Sequence, residues 1–253
     1  MKYKNLVKRI GCKILFVLLA FMLGWLFGMA MIFFHGKDQM TETLSTAAEE
    51  GKKQIAITFD DGPNPEYTMK LLEGLKKRGV KATFFVLGEE VERYPDILKA
   101  AYDDGHLIGV HSYQHVNFGQ IGDAAALEQV EKTRQAIYDV TGEYTGYIRP
   151  PYGCWKKELD QELPMIEVLW DIDPLDWATK DADTVVQRVL QKCPDGSIIL
   201  LHDASESSVC AAFTIIDTLQ KQGYEFVTIR ELFRKSGVEP QRNAIYMGVN
   251  EVR

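Results

Sequence analysis

Two adjacent carboxylates and a pair of histidines are the residues of this sequence best suited to chemistry. Asp60 and Asp61 follow the apolar run 55–57 and precede a Gly-Pro turn, and His111 and His115 lie four residues apart. A hard divalent metal prefers carboxylate and neutral imidazole ligands, and two histidines with one aspartate supply the three protein ligands of a catalytic site. The second aspartate would then be free to take a proton from water. Alternatively, the aspartates form a solvated turn and the histidine spacing arises by chance.

Further groups of this kind follow other predicted strands. Arg149 follows the fourth strand, Asp173 and Trp177 follow the fifth, and His202 follows the sixth. Taken singly, each has a simple structural explanation, such as a surface arginine, a core tryptophan or a satisfied core histidine. Together they favour one site, because the loops at the C-terminal ends of parallel barrel strands carry the catalytic groups of such folds.

Short apolar runs alternate with amphipathic helical patterns from residue 55 onward. The predicted strands are 55–59, 82–87, 107–110, 146–148, 166–170, 197–201 and 225–227. The predicted helices are 66–78, 95–103, 123–140, 183–191, 209–222 and 229–235. This alternation is typical of a parallel sheet, so we expect an α/β fold, a distorted (β/α) barrel with about seven parallel strands. Residues 55–235 form the predicted catalytic domain, and 236–253 are expected to be a C-terminal tail.

The first 54 residues predict a membrane anchor and a linker. Residues 14–34 form an apolar run without a charge, and about 20 such residues suffice to span a bilayer as one transmembrane helix. The preceding segment 1–13 carries five basic and no acidic side chains. By the positive-inside rule we expect a cytoplasmic N-terminal tail and an extracytoplasmic catalytic domain on a single-pass protein of the cell membrane. Residues 35–54 are polar and predict a linker.

The N-terminal region allows an alternative to the membrane anchor and contains a possible dimerisation motif. A secretory signal peptide, cleaved near 46–48, is the alternative to a permanent anchor. Gly24 and Gly28 form a G-x-x-x-G spacing, at which transmembrane helices can associate, so weak dimerisation through this pair is a further expectation.

The charge distribution argues against nucleic acid as a partner. Residues 1–37 hold six basic and no acidic side chains, so the rest of the chain carries 36 acidic and 23 basic ones, a formal charge of −13. An acidic domain repels phosphate backbones.

The cysteines do not determine whether the protein contains a disulfide. Cys154, Cys193 and Cys210 allow at most one disulfide among them and are equally compatible with three free thiols.

Five segments that contain these residues resemble, in this order, the five motifs of the polysaccharide deacetylase family. The segments are TFDDG, HSYQH, RPPYG, DPLDW and IILLHD. The family comprises carbohydrate esterases that include chitin deacetylases and peptidoglycan N-acetylglucosamine deacetylases. The resemblance covers residues 54–235, and five ordered motifs are much more specific than TFDDG alone.

This resemblance implies a metal-dependent hydrolase and assigns a role to each matching residue. Asp60 would be the general base, which Arg149 would orient and keep ionised, and Ser112 would brace the histidine loop by a hydrogen bond. The implied metal ligands are Asp61, His111 and His115. The implied cofactor is one divalent ion, most often zinc, with cobalt or another divalent ion as alternatives.

The resemblance also implies the groups that would act on the substrate. The backbone N–H of Tyr152 would donate to the developing oxyanion. His202 would be the general acid that protonates the departing amine, and Asp173 would hold it in its cationic form. Trp177 and Leu200 would form walls of a pocket for the acetyl group.

The expected substrate is an acetylated glycan. Removal of the N-acetyl group from N-acetylglucosamine in peptidoglycan, with release of acetate, fits an enzyme tethered outside the cell. Within the family, Tyr152 and the Asp-x-x-Asp-Trp motif favour glucosamine-type over muramic-acid-type substrates. The alternatives are a chitooligosaccharide deacetylase or acetylxylan esterase, or a non-catalytic glycan-binding protein on the same fold.

Overall fold

The computed structural model describes residues 51–252. The predicted cytoplasmic tail, transmembrane helix and nearly all of the linker therefore lie outside the described residues, as do Gly24 and Gly28. Between residues 51 and 252, none of the helices combines the length and the apolar character needed to cross a membrane. The chain divides into two units, 1–52 and 53–253, of which the second is described here.

A nearly closed barrel of parallel strands forms the centre of this unit. The strands are β1 Lys53–Asp60, β2 Thr83–Val86, β3 Leu107–Val110, β4 Tyr147–Ile148, β5 Ile166–Val168, β6 Ile198–His202, β7 Tyr224–Phe226, β8 Ile245–Gly248 and β9 Glu251–Val252. Their order is β6-β1-β2-β3-β4-β5-β8-β9, and all neighbours are parallel except β8 and β9. An isolated bridge joins Ser197, directly before β6, to Gly248, the last residue of β8, and so connects the two edges of the sheet. The predicted distorted (β/α) barrel is confirmed.

Helices surround the barrel, and the last of them also contributes residues to the apolar cluster inside it. They are α1 Thr68–Lys77, α2 Gly88–Arg93, α3 Pro95–Asp103, α4 Asp123–Thr141, α5 Ala182–Gln191, α6 Glu206–Lys221 and α7 Ile229–Lys235. All six predicted helices are found. The helix that the sequence did not reveal is α2, which at six residues is too short to show a helical period.

The C-terminal segment corrects the predicted domain boundary. Residues 236–253, expected to be a tail, supply β8, which pairs with β5 and completes the barrel. The predicted seventh strand, β7, pairs instead with only the first three residues of β1, Lys53 to Ile55. Tyr246 of β8 is buried in the barrel interior, with its ring centroid 4.8 Å from that of Phe233. Pairing with β5 and burial of Tyr246 together place β8 in the barrel, and a four-residue strand offers little periodicity to detect.

Alternation of side chains along β1 points its polar residues into the barrel. Ile55, Ile57 and Phe59 belong to the apolar cluster under the helices, whereas Ala56 belongs to the cluster inside the barrel. Because successive strand residues face opposite sides of a sheet, Thr58 and Asp60 also point into the barrel. Asp60 is the last residue of β1 and pairs with His202, the last of β6. Both side chains therefore reach the carboxyl end of the barrel.

All three cysteines in the described part of the chain are free thiols. Cys154 and Cys193 are half-buried and Cys210 is exposed. The sequence left one disulfide or three thiols open, and the structure has the three thiols.

Candidate active site

Asp61, His111 and His115 form a group that could hold a metal ion. Asp61 Oδ1 lies 3.5 Å from Nε2 of each histidine, and one potential ligand atom from each residue lies within 4.8 Å of the others. This oxygen is buried and accepts no hydrogen bond from any described residue. A buried, unpartnered carboxylate oxygen facing two imidazoles is a suitable environment for a divalent cation.

The protonation of His111 suits a ligand. Its Nδ1 lies 2.6 Å from the backbone carbonyl oxygen of Arg149, which can only accept, so Nδ1 carries the proton. The Nε2 lone pair then faces Asp61, the arrangement that outer hydrogen bonds impose on metal-binding histidines. Burial lowers the pKa of His111 to about 3, so the ring is neutral at physiological pH.

Asp60 is held by a fully buried arginine. Arg149 Nη1 donates to Asp60 Oδ1 at 2.8 Å and to Thr58 Oγ1 at 2.7 Å. Its Nε and Nη2 donate to the carbonyl oxygens of Val168 and Leu169, and the guanidinium lies 4.3 Å from the ring centroid of Phe85. Burial raises the pKa of Asp60, and the charge of Arg149 opposes that rise. The carboxylate is therefore fixed in orientation beside the candidate metal ligands, with Oδ2 3.8 Å from His111 Nε2.

His202 is held by Asp176, which corrects the expected pairing with Asp173. The Nδ1 of His202 lies 2.8 Å from Asp176 Oδ1, and its backbone N–H donates to Asp176 Oδ2 at 2.9 Å. Asp173 Oδ1 instead accepts from the backbone N–H of Leu175 at 2.8 Å. Burial by itself would lower the pKa of His202, but the hydrogen bond to Asp176 and the nearby charge of Asp60 raise it to about 9. His202 is therefore protonated at neutral pH.

These groups share one cavity of about 310 Å³. The predicted pocket residues lie on its wall, with Leu200 buried and Trp177 67% exposed. Tyr152 also lines the cavity, and its ring meets that of His115 edge-on at 4.9 Å between centroids. The cavity wall includes every residue predicted for the site, Asp173 among them, except Arg149 and Ser112.

Backbone strain concentrates around this cavity. Left-handed conformations occur at five non-glycine residues of the site loops, Asp61, Ser112, His115, Tyr152 and Leu175, with φ between 55° and 75°. Such conformations cost about 1 to 3 kcal/mol each and persist only where the surroundings impose them.

Ser112 does not brace its loop as expected, because its buried hydroxyl has no hydrogen-bond partner among the residues from 51 to 252. Its backbone oxygen makes the connection instead, accepting from the N–H of Gly88 at 3.1 Å.

Sequence reasoning missed two contacts that organise the site. Asp176 holds His202, and Thr58 holds Arg149 while donating to the carbonyl of Ile199 at 2.7 Å. A signal for the first was present, since an aspartate directly before proline tends to hydrogen-bond its own turn, which leaves Asp173 occupied. The contact between Thr58 and Arg149 had no local signal in the sequence. Thr58 lies in β1 and Arg149 follows β4, and these strands approach each other only because the barrel closes.

Comparison with known proteins identifies the family of this chain. Residues 47–167 match the family model described as polysaccharide deacetylase. The peptidoglycan-N-acetylglucosamine deacetylase of Listeria monocytogenes is 39% identical over 181 residues, which cover 72% of this chain and 39% of the relative. The peptidoglycan-N-acetylmuramic acid deacetylase of Bacillus subtilis is 40% identical over 207 residues, covering 80% of this chain and 44% of the relative. The chain thus spans less than half the length of these two relatives.

Two solved structures share the fold over nearly their whole length. A peptidoglycan deacetylase from Bacillus subtilis is 40% identical with a TM-score of 0.73, covering 74% of this chain and 93% of that one. A family 4 acetyl xylan esterase from Clostridium thermocellum, solved in complex with a cobalt ion, is 32% identical with a TM-score of 0.74, covering 79% and 100%. This chain belongs to the polysaccharide deacetylase family.

Proposed function

We propose that this protein removes the N-acetyl group from N-acetylglucosamine residues of peptidoglycan, releasing acetate. One observation carries the proposal: a candidate metal-ligand group, an arginine-bound aspartate and an aspartate-bound histidine line the same cavity. The ion would be held by Asp61, His111 and His115, and when bound it would polarise the acetyl carbonyl and make water more acidic. Zinc is the proposed ion and cobalt the alternative.

The protein's own groups supply the proton transfers that amide hydrolysis needs. Asp60 takes a proton from the attacking water, whose oxygen bonds to the acetyl carbonyl carbon. His202 then donates its proton to the amide nitrogen as the carbon–nitrogen bond breaks, because an amine leaves poorly without a proton. The backbone N–H of Tyr152 donates to the carbonyl oxygen as negative charge develops there.

The choice of sugar rests on the residues around the cavity. Trp177 and Leu200 offer apolar surface suited to the methyl of an acetyl group. Tyr152, with its family association to glucosamine-type substrates, favours N-acetylglucosamine. The 40% identical relative named for N-acetylmuramic acid makes that sugar the second candidate.

We further propose that the enzyme acts outside the cell, tethered by residues 14–34. The apolar run and the basic residues before it support this location. Protease added to intact cells should remove an epitope placed at the C-terminus and spare one placed at the N-terminus. Protection of both epitopes would contradict the proposal.

Activity of the purified full chain on defined substrates tests the reaction. Peptidoglycan fragments, chitooligosaccharides and acetylated xylooligosaccharides are incubated with zinc-loaded protein, acetate is quantified, and tandem mass spectrometry locates the sugar that lost its acetyl group. We expect acetate from peptidoglycan, with the change on glucosamine. A chelator should abolish release and added zinc should restore it. Metal-loaded protein that binds these glycans but releases no acetate would identify a glycan-binding protein instead.

A further inference from the structure

Asp203 is a buried carboxylate next to the site that the proposed reaction does not use. It follows His202 directly and is 1% exposed. Its Oδ2 accepts a hydrogen bond from the hydroxyl of Thr68, which is also buried. Its Oδ1 is buried and has no hydrogen-bond partner in the described part of the chain. Such a group is costly to bury, so its retention calls for a physical reason.

The carboxylate of Asp203 packs against the turn that carries Asp61. A Cβ added at Gly62 would lie 2.7 Å from Asp203 Oδ1 and 2.9 Å from its Cγ, so position 62 has room only for glycine. The φ of Gly62 is not in the left-handed region, and the need for glycine is therefore one of space rather than of backbone conformation.

The same turn is fastened on both sides. The carbonyl oxygen of Gly62 accepts from the N–H of Leu87 at 3.0 Å, which ties the turn to the end of β2. On the other side, the hydroxyl oxygen of Thr68 accepts from the N–H of Asn64 at 2.6 Å while its proton goes to Asp203. The turn is thus clamped between β2 and the end of β6.

Asp61 needs such a clamp because of its own conformation. Its φ of 75° places it in the left-handed region, which an aspartate adopts at a cost unless its neighbours impose it. We propose that Asp203 is a positioning residue, which acts through Gly62 to fix the orientation of the Asp61 carboxylate. This inference rests on the proposed metal site, and it assigns Asp203 no contact with substrate or ion.

Cobalt binding to the metal-free full chain tests the inference without relying on activity. Affinity is measured by calorimetry and ligand geometry by the visible absorption of Co²⁺. Thr68→Val keeps the shape of the side chain but removes the hydroxyl, and Thr68→Ser keeps the hydroxyl as the matched control. We expect Thr68→Val to weaken binding about 10- to 100-fold and to alter the spectrum, as loss of groups that orient metal ligands does. Thr68→Ser should bind like the wild type.

Two further substitutions keep the test decisive. Asp203→Asn retains an oxygen that can accept from Thr68 and should lose less affinity than Asp203→Leu. Gly62→Ala, which displaces Asp203, should reproduce the loss seen with Thr68→Val. Far-UV circular dichroism and thermal unfolding of each metal-free variant identify any that fail to fold, and affinities are compared among the folded ones.

The outcomes separate this inference from the proposed reaction. Wild-type affinity and spectrum in folded Asp203→Leu, or in both Thr68→Val and Gly62→Ala, would overturn the role of Asp203, whether or not the protein is active. Wild-type protein that binds cobalt but releases no acetate would contradict the proposed function and leave the role of Asp203 standing. Wild-type protein that binds no cobalt would overturn both.

Discussion

Two ion pairs of equal length hold the proposed base and the proposed acid, but in different surroundings. Arg149 meets Asp60 at 2.8 Å with both side chains at most 3% exposed, whereas Asp176 meets His202 at 2.8 Å with the histidine 15% exposed. Arg149 is also bound by Thr58 and two carbonyls, so the first pair belongs to the barrel interior. In the second pair the histidine is partly exposed, although Asp176 is buried. The difference suggests that fixing the base depends on the fold as a whole, while the acid depends on one neighbouring carboxylate.

The electrostatic balance of the two pairs also differs. For Asp60, burial raises the pKa and Arg149 works against the rise. For His202, burial lowers the pKa, but Asp176 and Asp60 overcome burial and raise it to about 9. The stabilisation that protonated His202 contributes is therefore fully present below its ordinary pKa of 6.5 and lost as the pH rises through about 9.

The largest effect is expected for Asp60→Asn. The amide cannot accept a proton from water, so kcat/KM should fall by about 10² to 10⁴, the range typical of lost general base catalysis. Arg149 keeps its bonds to Thr58 and the backbone, so the protein should remain folded and should still bind cobalt. Steady-state acetate release and cobalt titration measure both. Activity within a few-fold of the wild type would rule out Asp60 as the base.

Arg149→Met should have the largest effect on stability. It removes one member of a buried pair and leaves the charge of Asp60 without a partner, which costs about 3 to 5 kcal/mol. Urea unfolding at several pH values measures the loss. It should be smaller in acid, because protonation of Asp60 removes the unpaired charge. A loss no larger than that of Asp176→Asn would contradict the contrast between the fully buried pair and the partly exposed one.

Asp176→Asn should change the pH profile more than the fold. Loss of a charged hydrogen bond, worth about 1.5 to 3 kcal/mol, lowers the pKa of His202. Since His202 must be protonated to act as an acid, the alkaline limb of kcat should move to lower pH. Asp173→Asn is the matched control, and its limb should stay near that of the wild type because Asp173 serves its own turn. A shift with Asp173→Asn and none with Asp176→Asn would restore the original pairing.

Thr58→Val should give the smallest effect. It removes one acceptor from Arg149 and leaves the Ile199 carbonyl without this donor, at a cost of about 1 to 3 kcal/mol. The bond from Arg149 to Asp60 remains, so kcat should change much less than in Asp60→Asn. Paired urea unfolding and kinetic measurements check this. A loss of activity as large as that of Asp60→Asn would show that Thr58 orients the base as much as Arg149 does.

Much of the fold was readable because the βα alternation is strong. Seven strands and six helices lie where the pattern of apolar residues predicts them. The three short elements α2, β8 and β9 were not predicted, since two to six residues carry too little periodicity. The place of β8 in the barrel depends on its contacts with β5 and with Phe233. Neither contact produces a periodic pattern in the sequence.

The amino-acid sequence by itself determined the barrel class, the candidate metal ligands and the strand ends that carry the proposed acid and base, because strand alternation and motif order are local properties. Only the tertiary structure decided which aspartate holds His202 and which strand completes the barrel. It also brought Asp203 against Gly62. These outcomes depend on distances between segments far apart in the chain. Such distances are set when the sheet curls and its two edges meet, and residue type and spacing give at most a partial signal of them, as the proline after Asp173 did for the partner of His202.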